Sequence, residues 1–385
     1  MKRILIFSVA YHPFVAGAEV AVKEITDRLS HKASAGAVEL EFDMITLNLD
    51  GKQKSEEKIG NVMVYRIGGK GRIHKLLFPF TAYFKASKLH KKLTYDAIWS
   101  IMASFSGFAA VFFKMSNPKV FFILTLQEGD PISYIKRQVW FVYPLFRRIF
   151  WKADLVQAIS NYLADFARSM GTQARVEVIP NGVDLKIFLM KNDHIEVKSI
   201  RQELGIQPDD KVLITTSRLE VKNGVRDIIE SLKFLPTNVK LIIVGIGTLE
   251  RKLKAQVKTL GIQDRVVFLG FKNNSDLPKY LHAADVFIRP SLSEGMGISF
   301  IEAMAAGVPV VATPVGGIPD FLKDWQTGLF CAVDDPESIA DRVNIFLKDS
   351  KARTEIVRIA HTLVTQKYDW SRIADEMRNK VFSKI

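Results

Sequence analysis

The chain reads as an α/β protein built from two doubly wound, parallel-sheet domains in tandem. Three observations predict this. Short apolar runs bounded by Gly, Pro, Asn or Asp alternate with helix-length amphipathic segments along all 385 residues, which is the signature of repeated βαβ units. That length suits two or three domains, each large enough to bury its own core. A hydrophobic content of 48% with 25% charged residues is that of an ordinary soluble globular chain.

Taken in order, the first half offers strands at Ile4–Ser8, Glu41–Leu47, Val62–Arg66, Ala97–Ile101, Val120–Leu126, Leu155–Ala158 and Val176–Ile179. The second half offers Val212–Thr216, Lys240–Val244, Val266–Leu269, Val286–Ile288 and Val310–Ala312. Most precede a helical pattern. The turn Pro180-Asn181-Gly182, followed by the polar, aperiodic stretch Lys186–Lys198, marks the boundary. The domains expected are 1–185 and 186–366, with 367–385 as a separate final helix that has Trp370 at its start.

The N-terminus, Met1-Lys2-Arg3 before apolar Ile4–Ala10, imitates a secretory leader, and Ala16-Gly17-Ala18 imitates a cleavage site. The apolar run is at the short limit for a leader, and a first buried strand explains it better. The longest uncharged stretch, Ala97–Phe113, carries serines and a glycine, so it reads as strand, loop and helix start and not as a membrane span. Cys331 is the single cysteine, which excludes an internal disulfide and a cysteine-based zinc site and fits a reducing cytoplasm. The net charge of +13 is uneven: residues 1–190 hold 26 basic and 16 acidic side chains, residues 191–385 hold 28 and 25. The first half therefore tolerates or faces an anionic partner.

The most informative segment is E-G-M-G-I-S-F-I-E, where Glu294 and Glu302 bracket Gly295, Met296, Gly297 and Ile298 and a helix starts near Ser299. Glycines at a helix N-terminus bring backbone N–H groups close to an anion. Carboxylates on either side would repel a bare phosphate, yet they suit the hydroxyls of a sugar and a ribose flanking a diphosphate. Arg218 and Lys222 follow the strand Val212–Thr216, at the carboxyl end where ligands of doubly wound sheets bind, and can grip phosphates from two directions. Gly245-Ile246-Gly247 lacks the third glycine of a dinucleotide fingerprint, since Glu250 stands there, so it reads as a tight turn that lets a nucleotide lie across the sheet. Gly17 and Ala18 open a helix ending near Ser30, and their free N–H groups can face a phosphate; a plain strand-to-helix turn is as economical a reading.

No D-x-D pair, H-x-x-x-H pair or cysteine cluster supplies metal ligands, and the seven histidines are scattered. The expectation is a site with no metal cofactor, its diphosphate held by cations and helix ends. Two acid-free basic and aromatic stretches, Ile73–Leu93 and Ile132–Lys152, suit an anionic membrane surface. Packing of their aromatic faces on the domain's own sheet is the other reading. No nucleic-acid recognition module accompanies these charges.

Together these residues resemble the retaining nucleotide-sugar glycosyltransferases of family four, also called group 1. The resemblance runs over nearly the whole chain. It is strongest from Val212 to Pro336, in S-R-L-E-V-K-N-G, L-I-I-V-G-I-G-T-L-E, V-V-F-L-G-F, the run from A-A-D-V-F-I-R-P-S to V-V-A-T, and G-G-I-P-D. The Gly17 loop, I-S-N-Y-L and V-I-P-N-G-V-D match in the first half. The resemblance implies a GT-B fold, two Rossmann-like domains facing a central cleft, with the last helix crossing back to the first domain. It implies a nucleotide-sugar donor, UDP- or GDP-linked, bound by the second domain, and a glycan or lipid-linked acceptor bound by the first. By motif position Glu302 would hold the ribose, Arg218 and Lys222 the diphosphate, and Glu294 the transferred sugar. The backbone of Gly297 and Ile298 would meet the diphosphate and sugar, and the backbone around Phe271-Lys272 the base.

One departure stands out. Where this family commonly places a histidine followed by an acid, after the strand Val120–Leu126, the chain has Gln127 and Glu128. Glutamine can position a substrate but cannot carry a proton. If charge is needed there, Glu128 must supply it, and Gln127, Glu128 and Glu294 are the candidate catalytic residues. The alternative is a nucleotide-sugar-binding protein with impaired catalysis. The expected location is cytoplasmic, peripheral on the inner face of a membrane.

Overall fold

The computed structural model describes residues 1–14, 16–31, 39–189 and 194–385. Val15, in the loop before Gly17, and residues 190–193, inside the stretch Lys186–Lys198, lie outside the described residues. Two compact units emerge, one of Met1–Asn181 with Trp370–Ile385 and one of Gly182–Asp369.

In the first unit the strands are β1 (Lys2–Phe7), β2 (Leu40–Leu47), β3 (Glu56–Ile59), β4 (Val62–Ile67), β5 (Ala97–Ile101), β6 (Phe121–Leu126), β7 (Leu155–Ala158) and β8 (Arg175–Val178). They form one sheet in the order β3-β4-β2-β1-β5-β6-β7-β8, and every pairing is parallel except the β3–β4 hairpin. The helices are α1 (Gly17–His31), α2 (Arg72–Leu93), α3 (Phe105–Ser116), α4 (Ile132–Gln138), α5 (Tyr143–Lys152) and α6 (Asn161–Ser169). Ile4, Leu5, Ile6 and Phe7 of the central strand are all fully buried, because a parallel strand covered by helices on both faces needs an unbroken apolar run. Ser160 caps α6 through an N–H bond from Leu163 at 3.3 Å.

In the second unit come α7 (Leu185–Phe188), α8 (His194–Glu203), β9 (Lys211–Thr216), α9 (Val225–Ser231), β10 (Val239–Val244), α10 (Glu250–Thr259) and β11 (Val266–Gly270). They are followed by α11 (Leu277–His282), β12 (Val286–Arg289), α12 (Ile298–Ala305), β13 (Val310–Ala312), β14 (Leu329–Phe330), α13 (Pro336–Lys348) and α14 (Ser350–Lys367). The sheet order is β11-β10-β9-β12-β13-β14, all parallel. The order reverses direction between β9 and β12, the switch point where a crevice opens beyond the carboxyl ends.

The last helix, α15 (Trp370–Lys380), belongs to the first unit. Trp370, Ile373, Ala374 and Met377 sit in the same core as Ala21, Val22 and Ile25 of α1. Phe382, just beyond, meets Trp99 edge-on with ring centroids 5.3 Å apart.

The stretch Lys186–Lys198, expected to be aperiodic, is partly helical: α7 and α8 both enter it. α7 is capped by Asp184, whose carboxylate accepts from Lys186 N at 3.0 Å, and a capped single turn leaves little apolar periodicity to read.

Candidate functional site

The site in the second unit starts from the way β9 ends. Leu219, fully buried, is held on both sides, its N–H donating to Ile246 O at 3.0 Å and its carbonyl accepting from Leu249 N at 2.9 Å. The loop is further tied by Glu220, which accepts from Thr248 N at 3.1 Å and Thr248 Oγ1 at 2.7 Å. Those bonds hold the Glu220 carboxyl below its usual range. Arg218 is exposed and Lys222 half-buried on this anchored loop. Gly245 lies against it: a Cβ there would stand 1.9 Å from Ser217 O, so its close approach is to the Arg218 loop.

The E-G-M-G segment follows β12. Glu294 is 9% exposed. One carboxylate oxygen accepts from Gly295 N at 3.0 Å, and the other pairs with the Arg289 guanidinium. Its carbonyl accepts from Gly317 N at 3.1 Å. Gly316 passes so close that a Cβ would lie 1.8 Å from Glu294 O, and its φ of +56° also demands glycine. Met296 is buried, and Gly297 precedes Ile298, the first residue of α12, whose earliest N–H groups lack an acceptor within the helix and so suit an anion.

Glu302, one turn further along α12, is buried, and burial pushes its carboxyl up to about 7 against the opposing charge of Arg289 and a hydrogen bond from Asn274. Asn274 begins the short turn that follows Phe271 and Lys272, the two residues next after β11. Phe271 is exposed, and Lys272 Nζ lies 5.6 Å from the Tyr280 ring centroid. Arg218, Lys222, Glu294, Gly295, Met296, Gly297, Ile298 and Glu302 thus gather at one sheet edge, with Phe271 and Lys272 joined to it through Asn274.

In the first unit, Gln127 forms a reciprocal amide pair with Asn181, with bonds of 3.3 and 3.0 Å. Glu128 accepts from Ala103 N at 2.6 Å, just ahead of α3. Its residue surface is partly exposed, but Oε2 is enclosed without a partner, and burial pushes its carboxyl up to about 7. Gly17 and Ala18 occupy the first two positions of α1, where N–H groups have no intrahelical acceptor. Next to them, Glu19 caps Ala16 N at 2.7 Å.

Two features were missed at the sequence level. Arg289 reads as the end of an apolar strand, V-F-I-R, yet it is the charge that meets Glu294. Asn223 reads as a turn residue, yet its side chain bridges Arg218 O at 2.6 Å and Arg289 at 2.9 Å. A further signal lies in unpaired groups. Among the described residues, ten buried side-chain polar atoms have no partner, and nine sit at or beyond carboxyl ends of strands: Tyr11, His12, Thr46 and Glu128 in one unit, Thr215, Thr216, Ser217, Arg289 and Ser291 in the other. Unsatisfied buried groups are costly, so their concentration at these edges marks surfaces made for polar ligands. The described residues contain no group of three or more His, Cys, Asp or Glu able to hold a metal ion.

The two sheets and the polar edge define a two-domain, Rossmann-like enzyme of GT-B type. Residues 196–362 match the model of glycosyl transferases group 1, and residues 15–187 match that of glycosyltransferase family 4. An uncharacterized glycosyltransferase of Methanocaldococcus jannaschii is 32% identical over 353 residues, covering 88% of each chain. The alpha-monoglucosyldiacylglycerol synthase of Streptococcus pneumoniae is 26% identical over 337 residues, covering 85% of this chain and 74% of that one. Anabaena HepE, solved in complex with UDP and glucose, shares the fold with a TM-score of 0.79 at 21% identity, covering all of both chains. The chain belongs to the group 1 glycosyltransferases. Its activity is glycosyl transfer from a nucleotide sugar.

Proposed function

We propose that the protein moves a sugar from a UDP- or GDP-linked donor to a hydroxyl of a glycan or lipid-linked acceptor, with retention of configuration and without a divalent metal. The observation that carries this reading is the single edge that gathers Arg218, Lys222, Glu294, Glu302 and the first turn of α12. Glu302 accepts the ribose hydroxyls, Arg218 and Lys222 neutralise the diphosphate, and Glu294 accepts from hydroxyls of the transferred sugar. The N–H groups of Gly297 and Ile298 meet the diphosphate and sugar, Phe271 and Lys272 border the base, and Gly245 lets the Arg218 loop pack. Gly17 and Ala18 offer N–H groups to an anion from the first unit. With no strong base at Gln127, the acceptor hydroxyl attacks the anomeric carbon from the face the diphosphate leaves. The new C–O bond forms as the C–O bond to phosphate breaks, and the proton passes to the departing phosphate oxygen. The residues contribute orientation and stabilisation of the leaving charge.

Thermal shift of the purified protein against UDP, GDP, ADP and sugars of each, with and without EDTA, tests this. Saturation at a hundred times Kd stabilises by about 2.7 kcal/mol, and the expected result is a shift with one series that EDTA leaves unchanged. No shift with any series would leave the donor reading without support. A shift abolished by EDTA would overturn its metal-free part.

The acceptor reading rests on α2 and its neighbours. Ile73, Leu76, Leu77, Phe80 and Phe84 are exposed and spaced so that they share one face of α2, while Phe78, Ala82, Ala86 and Leu89 are buried on the other. Trp140 and Phe141 are also exposed. Lys88, Lys91 and Lys92 are exposed beside the stripe. An apolar row with flanking cations suits the interface of an anionic membrane, and the pneumococcal relative is by name a synthase of a glucosylated diacylglycerol. Among the described residues no helix is long and apolar enough to cross a membrane. Co-sedimentation with phosphatidylglycerol vesicles, lost in a Phe80→Ser/Phe84→Ser variant, is the expected result; a wild-type protein that stays in the supernatant contradicts it.

A further inference from the structure

Arg289 is 11% exposed at its side chain, and its guanidinium serves three segments at once. It pairs with Glu294, donates to Ser299 Oγ at 2.9 Å and donates to Asn223 Oδ1 at 2.9 Å. Its flat face rests over the Phe300 ring, 5.3 Å from the centroid. Phe300 is itself fixed between Phe287 and Phe321, at 5.6 and 5.7 Å. Asn223 passes the constraint on, since its amide donates to Arg218 O at 2.6 Å, and Leu292 N donates to Lys222 O at 2.7 Å. The phosphate-facing loop, the Glu294 carboxylate and the first turn of α12 are therefore pinned to one planar cation.

We propose that Arg289 is a positioning residue of the donor site: it locks the Glu294 carboxylate in one orientation and in register with the Arg218–Lys222 loop, so that the two remaining lone-pair directions of Glu294 meet the hydroxyls of the transferred sugar. A lysine could neutralise Glu294 but could not hold three partners in one plane, because the forked donors are what fix the angle. The role discriminates between ligands. A bare nucleoside diphosphate does not touch Glu294 and gains only from the placing of the Arg218 loop, which Asn223 also ties directly to Arg218 O, whereas a nucleotide sugar depends on the Glu294 carboxylate as well. The inference rests on the donor reading above.

The test is titration calorimetry with UDP, GDP, UDP-glucose and GDP-mannose on wild type, Arg289→Lys, Glu294→Gln and the double variant Arg289→Met/Glu294→Gln. Removing both charges together avoids leaving a buried carboxylate without its partner. For whichever series binds, Arg289→Lys should weaken the nucleotide sugar about tenfold while moving the bare diphosphate by less than about threefold. The double variant should bind the nucleotide sugar no more weakly than Glu294→Gln alone, since a residue acting through another adds nothing once that other is gone. Equal losses for diphosphate and nucleotide sugar in Arg289→Lys, or a double variant that binds the nucleotide sugar clearly more weakly than Glu294→Gln alone, would overturn the positioning role and make Arg289 a general phosphate or folding cation. A wild type that binds none of the four removes the donor reading and this inference with it, an outcome distinct from any change among the variants.

Discussion

The carboxyl edges of the two sheets share a topology but are finished in different ways. At the second sheet the polar groups are charged and laced together: Arg289, Asn223, Glu294 and the Arg218 loop form one bonded cluster. At the first sheet the groups beyond β6 are muted. Gln127 is paired with Asn181, and Glu128 holds a proton up to about pH 7 with one oxygen on a backbone N–H. The difference fits the function proposed above, in which the second edge meets the full charge of a diphosphate and the groups beyond β6 meet neutral hydroxyls, where an ionised base is not required if the leaving group takes the proton.

That comparison can be broken most severely by removing the cations. Arg218→Ala/Lys222→Ala should weaken nucleoside diphosphate binding by roughly 2–5 kcal/mol, about thirtyfold or more, while Gln127→Ala leaves the same binding within about twofold. Similar losses in both would mean that the charge asymmetry has no consequence for the donor. Of comparable size is an effect on stability. Trp370, buried in the first unit's core, should cost about 3–5 kcal/mol when replaced by alanine. In urea the loss should fall on the transition that exposes Trp99 and spare the second unit's amides in hydrogen exchange; uniform loss of protection would show the two units unfolding as one.

A subtler comparison is with pH. Glu128 and Glu302 both have carboxyls raised to about 7 by burial, above their values in the unfolded chain. Each therefore contributes stability that is complete below the unfolded value near 4.5 and lost as pH rises through 7. Glu302→Gln should flatten that decline. Nucleotide affinity should move the opposite way, rising between pH 6 and 8 as Glu302 ionises and accepts the ribose hydroxyls, a trend absent in Glu302→Gln. A nucleotide affinity that is flat with pH in the wild type would detach Glu302 from the ribose. The smallest effect is expected on α2, where neutralising Lys88, Lys91 and Lys92 should each remove about 1 kcal/mol of vesicle binding. Lys85 should matter less, because it is already engaged with Glu56 at 3.1 Å.

The fold was largely legible because its strands are buried on both faces and stand out as apolar runs. The two strands that were not expected explain the limit. β3, Glu56–Ile59, is a charged edge strand with alternating exposure, held by its hairpin to β4 and by one side chain, Ile59, packed against the core. β14 has two residues, Leu329 and Phe330, too few for any period. The donor edge could be read because its chemistry is local, with Glu294 through Glu302 on one loop and helix. Arg289 could not, because its meaning comes from Asn223, Glu294 and Ser299, which the chain brings together only in three dimensions. Glu128 could be named from its place after β6, but not its anchoring, because its backbone partner Ala103 comes from a different loop. The exposed row on α2 was half visible: composition flagged the stretch, but only the packed helix separates buried Phe78 from exposed Phe80 and Phe84.

The most direct test of the central claim is calorimetric binding of the preferred nucleoside diphosphate, without sugar, to Glu302→Gln and Glu294→Gln. A ribose contact persists when the sugar is gone, so Glu302→Gln should lose about tenfold in affinity, the worth of a hydrogen bond to a charged group, while Glu294→Gln stays within about twofold, its losses falling on nucleotide-sugar binding and transfer. Equal losses in the two variants, or a larger loss in Glu294→Gln, would contradict the assignment of one carboxylate to the ribose and the other to the sugar.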